Sequence, residues 1–351
     1  MNPERPDLSQ VDPTVLAYVE ALEAEVERLR GSAEEPLPEN AEALLPIEPD
    51  EPPTTLNLIT VSGSGIAKRT PRHLYSRQRR GGMGIFDLET AEEDPPAFLA
   101  IADESQSLIL FTNHARAFRL PVSDLPESPV RSRGQSLTAA LDLSPDERLA
   151  AVLPDQNSGY AALLTERGYV RCLPAHLFGE KMNTGMAVYK FEEFGPLVAA
   201  RWTSGNGDLF IATRRGLAIR FPEKQVPLPG GLGMRLDPDD APVALAAVRP
   251  ESGVFLITAD GRGTIRLMSG FSANKAPGGG GKVALKTEHL VGAITVDEAD
   301  NIFIISRLSK IIRFSAAEVP AKEGVVQGVN CMALRADETM AVARSFAAQW
   351  V

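Results

Sequence analysis

Six stretches of the chain obey one grammar: an apolar strand, a tight turn, a second strand with basic residues, then an apolar anchor. They read LNLITVSGSGIAKRTPRHLY, LILFTNHARAFRLPVSDL, AALLTERGYVRCLPAHLF, LFIATRRGLAIRFPEKQV, VFLITADGRGTIRLMSGF and IFIISRLSKIIRFSAAEV. With the turn placed at Gly65, Ala115, Gly168, Gly216, Gly261 and Ser309, successive copies lie 50, 53, 48, 45 and 48 residues apart. Ten residues after each turn stand Tyr75, Leu125, Phe178, Val226, Phe271 and Val319. β-Branched and aromatic runs broken by Gly, Pro and Asp are strand chemistry. Each copy also has a second glycine loop leading into an apolar strand: GGMGIFDL, SRGQSLTAAL, MNTGMAVYKF, GGLGMRL, GGGGKVALKT and VQGVNCMAL. A unit of about four strands cannot cover both faces of its own sheet, so copies must stack, and stacking about an axis protects the edges. The expected fold is mainly β, a six-bladed pinwheel or propeller over residues 54–351. Glycine at four of the six turns fits a two-residue hairpin with positive φ; Ala115 and Ser309 depart from it. The last run, TMAVARSF (339–346), has no unit of its own and is expected to complete a blade begun elsewhere, closing the ring.

Charge is unevenly placed. Residues 1–53 hold 14 acidic side chains against 3 basic ones, a net of −11 that leaves +1 for the rest of a chain whose total is −10. Within residues 13–30, Val15, Val19, Leu22, Val26 and Leu29 fall at spacings of 4 and 3, with Pro13 before and Gly31 after. That pattern predicts an amphipathic N-terminal α-helix (residues 1–31), either docking alone or self-associating as a short coiled coil. Residues 32–53 are Pro- and Glu-rich, a composition that buries too little to offset ordering entropy, and are expected to form a disordered acidic linker. No apolar run approaches the roughly 18 residues of a membrane helix, and the polar, acidic residues 1–10 lack a signal-peptide pattern. A cytoplasmic location is expected, nucleoid-associated when bound to DNA.

Against this background residues 54–86 contain no acidic side chain, yet Lys68, Arg69, Arg72, Arg77, Arg79 and Arg80 place six cations within thirteen positions. Glycines beside them let main chain approach a polyanion and offer N–H groups, while arginine forks grip phosphate. Six such contacts would give a salt slope of log affinity of about −5. A blade-crossing turn with a solvated cationic face accounts for the same charges and stays open.

The segment Gln78-Arg79-Arg80-Gly81-Gly82-Met83-Gly84 resembles the heptapeptide Gln-Arg-Arg-Gly-Gly-Lys-Gly of the gyrase A family. The six repeats are similar to the C-terminal domain of DNA gyrase A, a β-pinwheel that wraps DNA around its rim, and the resemblance covers about residues 55–350. It implies sequence-tolerant duplex binding at Gln78, Arg79, Arg80, Gly81, Gly82 and Gly84, joined by Lys68, Arg69, Arg72 and Arg77. In that reading the segment joins the first blade to the rest of the ring. Met83 stands where the family has lysine, one cation fewer. Weaker copies of the motif match at Arg133-Gly134 and the later glycine loops, adding Arg131, Arg133 and Lys282 to the expected contacts. The acidic linker could lie across the basic patch and compete with DNA, so deletion of residues 1–53 should tighten binding.

Catalytic constellations are missing from the pattern. Gyrase A proteins cleave DNA with a tyrosine in a separate, larger region; here Tyr18, Tyr75, Tyr160, Tyr169 and Tyr189 sit in the helix and repeats. No strand cleavage, cofactor or metal is expected. His73, His114, His176 and His289 fall in different units, Cys172 and Cys331 are too few for a disulfide framework, and SGSG and PGGGGK lack Walker spacing. Asp297, Glu298 and Asp300 read as hairpin punctuation. Three functions compete: a non-catalytic DNA-binding pinwheel, a protein-interaction propeller that has lost strong DNA binding, and a domain acting in trans on a type II topoisomerase through its N-terminal helix.

Overall fold

A computed structural model describes residues 51–346, residue 140 apart, together with Val15 and Val19. The chain divides between Glu48 and Pro49. Val15 and Val19 are both helical, the former exposed; the rest of the expected helix, the coiled coil and the linker up to residue 50 lie outside the described residues.

Among the described residues six blades form, antiparallel apart from a parallel pairing of Ala321–Lys322 with Ile265 and Arg266 in blade 5. Their two central strands are the hairpins foreseen from the repeat: Leu56–Ser62 with Ile66–Pro71, Ser107–Thr112 with Arg116–Pro121, Tyr160–Thr165 with Tyr169–Pro174, Asp208–Thr213 with Leu217–Pro222, Gly253–Thr258 with Arg262–Leu267, and Asn301–Ser306 with Lys310–Ser315. The innermost strands are Pro96–Asp103, Leu149–Pro154, Leu197–Thr203, Pro242–Val248, Leu290–Val296 and Thr339–Ser345, and they ring an axial channel. Thr339–Ser345 pairs with Asn301–Ser306 of its own unit. The run left over in the repeat is therefore the innermost strand of blade 6, equivalent to its five counterparts, and it does not close the ring.

Closure comes from the outermost strands, each only two residues long and each borrowed from the following unit. Gln135–Ser136 joins blade 1, Met186–Ala187 blade 2, Gly231–Leu232 blade 3, Lys282–Val283 blade 4 and Val329–Asn330 blade 5. Ile85–Phe86, from the first unit, pairs with Lys310 and Ile311 of blade 6. The exchange makes the ring continuous.

The hairpin loops are three residues long, not two. The third residue takes positive φ, from +92° at Gly65 to +59° at Ser309, and Ala115 adopts +60° despite its Cβ. Its N–H donates to the carbonyl three residues back, as from Gly65 to Ser62 at 3.1 Å and from Ser309 to Ser306 at 3.0 Å. This is a type I turn closed by a left-handed residue, whose twist suits the flanking strands. The expected anchors follow a short 3-10 turn, except that Phe178 is the last residue of its own, and Tyr75, Leu125, Phe178, Phe271 and Val319 are buried.

An arginine of the second hairpin strand latches alternate blades to the next unit's anchor. Arg119 donates to the Phe178 carbonyl at 2.8 Å and pairs with Asp155; Arg220 donates to the Phe271 carbonyl at 3.1 Å and pairs with Asp208. Arg313 of blade 6 donates to the Tyr75 carbonyl at 3.0 Å, but its counter-ion is Glu51. The expected disordered linker runs to residue 53, but Glu51 is 4% exposed, and its carboxylate also accepts from Arg72 at 2.8 and 2.9 Å. Burial alone would raise the Glu51 carboxyl, but the bonds and charges of Arg72 and Arg313 outweigh it and hold the pKa below the usual carboxylate range.

Candidate nucleic-acid interface

The segment 78–84 carries the chain from blade 1 to blade 6 and is fixed by main-chain bonds. The Gln78 N–H donates to Arg313 O at 2.7 Å, the Gly81 N–H to Cys331 O at 2.8 Å, and the Gly82 carbonyl accepts from Ala333 N–H at 2.9 Å. A Cβ on Gly84 would stand 2.6 Å from the Ile311 carbonyl oxygen, and Gly84 has φ +72°. Glycine is required there because the crossing chain rides directly on the neighbouring strand. Gly134, Gly185, Gly230, Gly281 and Gly328 occupy the same place before the other outermost strands. The motif glycines therefore serve ring closure. The N–H groups of Gly81 and Gly82 are spent internally, the latter on Arg79 O at 3.2 Å, which withdraws them from the expected set of phosphate donors.

The six cations of the first blade separate into two sets. Lys68 is 1% exposed, ion-paired to Asp87 at 2.7 Å and donating to the carbonyls of Pro129 and Val130. Asp87 also accepts from Tyr75 OH and Thr60 Oγ1, both at 2.6 Å. Burial lowers the Lys68 pKa against the opposing pull of Asp87. Arg72 is 1% exposed and held by Glu51. Neither side chain reaches solvent, so both are corrected from phosphate contacts to interior cross-links. Arg69 is also largely covered, 11% of its side chain exposed, with its Nη1 3.7 Å from Glu104 and its Nε buried without a partner, which leaves little of it for phosphate.

The other set faces outward. Arg77 and Arg79 are exposed, and Gln78 and Arg80 half-buried. Among the described residues Arg79 and Arg80 form no ion pair; the Arg80 guanidinium donates to Glu318 O at 2.7 Å and Asn330 O at 3.0 Å. Arg80 is pinned in place with its charge intact, while its main-chain N–H donates to the Glu318 carboxylate at 2.9 Å. Arg131 and Arg133 are exposed but share Glu89, at 2.9 and 3.7 Å. Their proximity comes from a two-residue parallel pairing of Leu88–Glu89 with Ser132–Arg133. Lys282, on the outermost strand of blade 4, donates to Ser272.

Sequence reasoning missed Glu51, Asp87 and Glu89, the acids that decide which cations remain available. It also missed Phe86, 52% exposed, with the Arg131 guanidinium 5.6 Å and the Lys310 ammonium 5.7 Å from its ring centroid. Among the described residues no group of three His, Cys, Asp or Glu side chains could hold a metal ion, and no helix is long and apolar enough to cross a membrane.

The family description that matches is "DNA gyrase C-terminal domain, beta-propeller", over residues 56–94, 106–154, 207–249 and 300–341. The chain belongs to the DNA gyrase A C-terminal-domain family of β-propellers. DNA gyrase A of Mycolicibacterium smegmatis is 28% identical over 305 residues, covering 82% of this chain and 36% of that protein. DNA gyrase A of Staphylococcus aureus is 28% identical over 295 residues, covering 80% and 33%. The chain thus spans about a third of the length of the curated relatives it matches. A solved DNA gyrase A C-terminal domain matches with a TM-score of 0.72 at 20% identity, covering 82% of this chain and 99% of that one. The C-terminal domain of DNA topoisomerase IV matches at 0.59 and 19% identity, covering 83% and 94%. Both likenesses are to the propeller fold.

Proposed function

We propose that this gyrase-family propeller binds duplex DNA along its outer rim without reading sequence, bending or wrapping it, and cleaves nothing itself. The observation that carries the reading is the placement of Arg79 and Arg80 on the ring-closing segment: the Arg80 guanidinium is held by the carbonyls of Glu318 and Asn330, Arg79 is exposed, and among the described residues neither is ion-paired to a carboxylate. A polyanion meeting fixed guanidinium groups gains charge-assisted bonds with little further ordering cost. Arg77, Arg131, Arg133 and Lys282 extend the cationic rim. In this account the domain serves the DNA-handling of a type II topoisomerase, in the cytoplasm with the chromosome, and the N-terminal acidic segment competes with DNA for the rim. A mobility-shift assay of the full chain on a duplex of about 150 base pairs, a length comparable to DNA's persistence length, tests the binding. The Arg79→Ala/Arg80→Ala double variant should lose most of the shift at low salt. Ligation of nicked circles in its presence tests wrapping, which leaves a change in linking number. The second reading, a protein-interaction propeller, is favoured by Met83 in place of the family's lysine and by Glu89 between Arg131 and Arg133; it predicts no shift at low salt.

A further inference from the structure

We propose that Phe86 is an apolar wedge that enters a groove of the bound duplex and partly unstacks a base step; this rests on the rim-binding reading above. Phe86 lies in the strand that closes the ring and is about half exposed, although the same two-residue strand is clamped to Lys310 and Ile311 by main-chain pairing. The backbone beneath the ring is rigid, so the ring is presented. Ile85 is 40% and Met83 52% exposed in the same segment. The local surface is therefore apolar where the family pattern would place a lysine.

The setting of the ring favours nucleic acid over an apolar protein partner. Arg131, from the second unit, and Lys310, from blade 6, both approach it, at 5.6 and 5.7 Å from the centroid, so the two charges are at most about 11 Å apart. A protein docking face of this kind is depleted of lysine at its centre, and Lys310 stands against the ring. A duplex offers an apolar floor of base edges between two rails of phosphate, and its minor groove is about 6 Å wide. A ring entering that groove brings Lys310, and Arg131 from its pair with Glu89, toward the phosphates. Proteins that bend duplex DNA insert Phe, Ile or Met between base steps in this way, and the inserted side chain recovers the cost of unstacking through a wider contact.

The test compares two 30-base-pair duplexes of one sequence, fully paired or carrying a central two-base mismatch, with the full chain at fixed salt. A mismatch reduces the cost of unstacking in advance, so a wedge binds it more tightly, by about 5-fold or more. Phe86→Ala should bring the ratio of the two affinities to about one while leaving the salt slope unchanged, because no cation is removed. Phe86→Leu should keep most of the preference, and Phe86→Gln replaces the alanine variant should that one fail to fold. Equal affinity of the unmodified chain for both duplexes, or a ratio unaffected by Phe86→Ala and Phe86→Gln, overturns the wedge. If in that case Arg79→Ala still weakens both complexes, the rim-binding reading survives alone; if the unmodified chain binds neither duplex, both fall.

Discussion

Replacing Glu51 by Ala should loosen the junction between blades 1 and 6 more than any surface substitution can. Its carboxylate accepts three charge-assisted bonds, two from Arg72 at 2.8 and 2.9 Å and one from Arg313 at 2.9 Å, in a site where all three residues are under 5% exposed. Without it Arg72 keeps Ser345 Oγ and the Phe346 carbonyl, and Arg313 keeps the carbonyls of Tyr75 and Arg72. Among the described residues Arg72 is then left with no carboxylate partner. Removing one side of a buried ion pair costs about 3–5 kcal/mol, mostly the penalty of the charge left behind. At about 2 °C per kcal/mol for a domain of this size, the melting temperature of the full chain should fall by about 6–10 °C. Differential scanning calorimetry at pH 7 reads this directly. Hydrogen exchange should localise the effect to residues 85–86, 310–315 and 339–345. Glu104→Ala is the control, because Glu104 is about half exposed and lies 3.7 Å from Arg69; an exposed pair contributes about 1 kcal/mol or less. A Glu51→Ala shift no larger than that of the control would refute the view that the acidic segment supplies the ring's closing counter-ion.

Other outcomes follow from the same contacts. Glu89→Ala should free Arg131 and Arg133 and tighten duplex binding a few-fold at low salt, read by fluorescence anisotropy. Met83→Lys should steepen the salt slope by about 1, the increment for one added phosphate contact. Lys68→Ala should lower the unfolding midpoint in urea while leaving the salt slope of DNA binding unchanged, since Lys68 is interior and paired with Asp87. Burial would raise the Glu147 carboxyl, but Arg116, Thr112 and the Ser144 N–H hold it at about 2, below the ordinary 4.5. A depressed carboxyl stabilises the fold above its unfolded pKa, so stability should fall as pH drops from about 4.5 toward 2. The Glu147→Gln variant should show a shallower loss over that window in urea titrations.

The six blades were legible because each repeats a hairpin long enough to show strand chemistry and a turn at a fixed offset. Even Ala115 and Ser309, which lack glycine's freedom, take the left-handed conformation the other four copies require. Of the outermost strands, the glycine loop and the run after it were legible in each copy, but not the pairing: two residues carry no periodicity, and their partner lies in a different unit. The same long-range pairing explains Thr339–Ser345, which looked surplus until the borrowed strand accounted for closure. At the site, a run of cations in sequence says nothing of the direction each takes. In the strand Ile66–Pro71, Lys68 turns inward to Asp87, nineteen positions later, and the 3-10 turn that follows directs Arg72 to Glu51, twenty-one positions earlier. Arg79 and Arg80 escape that fate because they lie on the crossing segment, outside any blade.

Duplex affinity as a function of salt tests the account most directly. With Arg77, Arg79, Arg80, Arg131, Arg133 and Lys282 on phosphate and Lys68 and Arg72 inside, the slope of log affinity against log salt should be about −5, and shallower by about 1 in Arg79→Ala. A slope near zero, or one that Arg79→Ala leaves unchanged, would contradict the assignment of this rim to DNA.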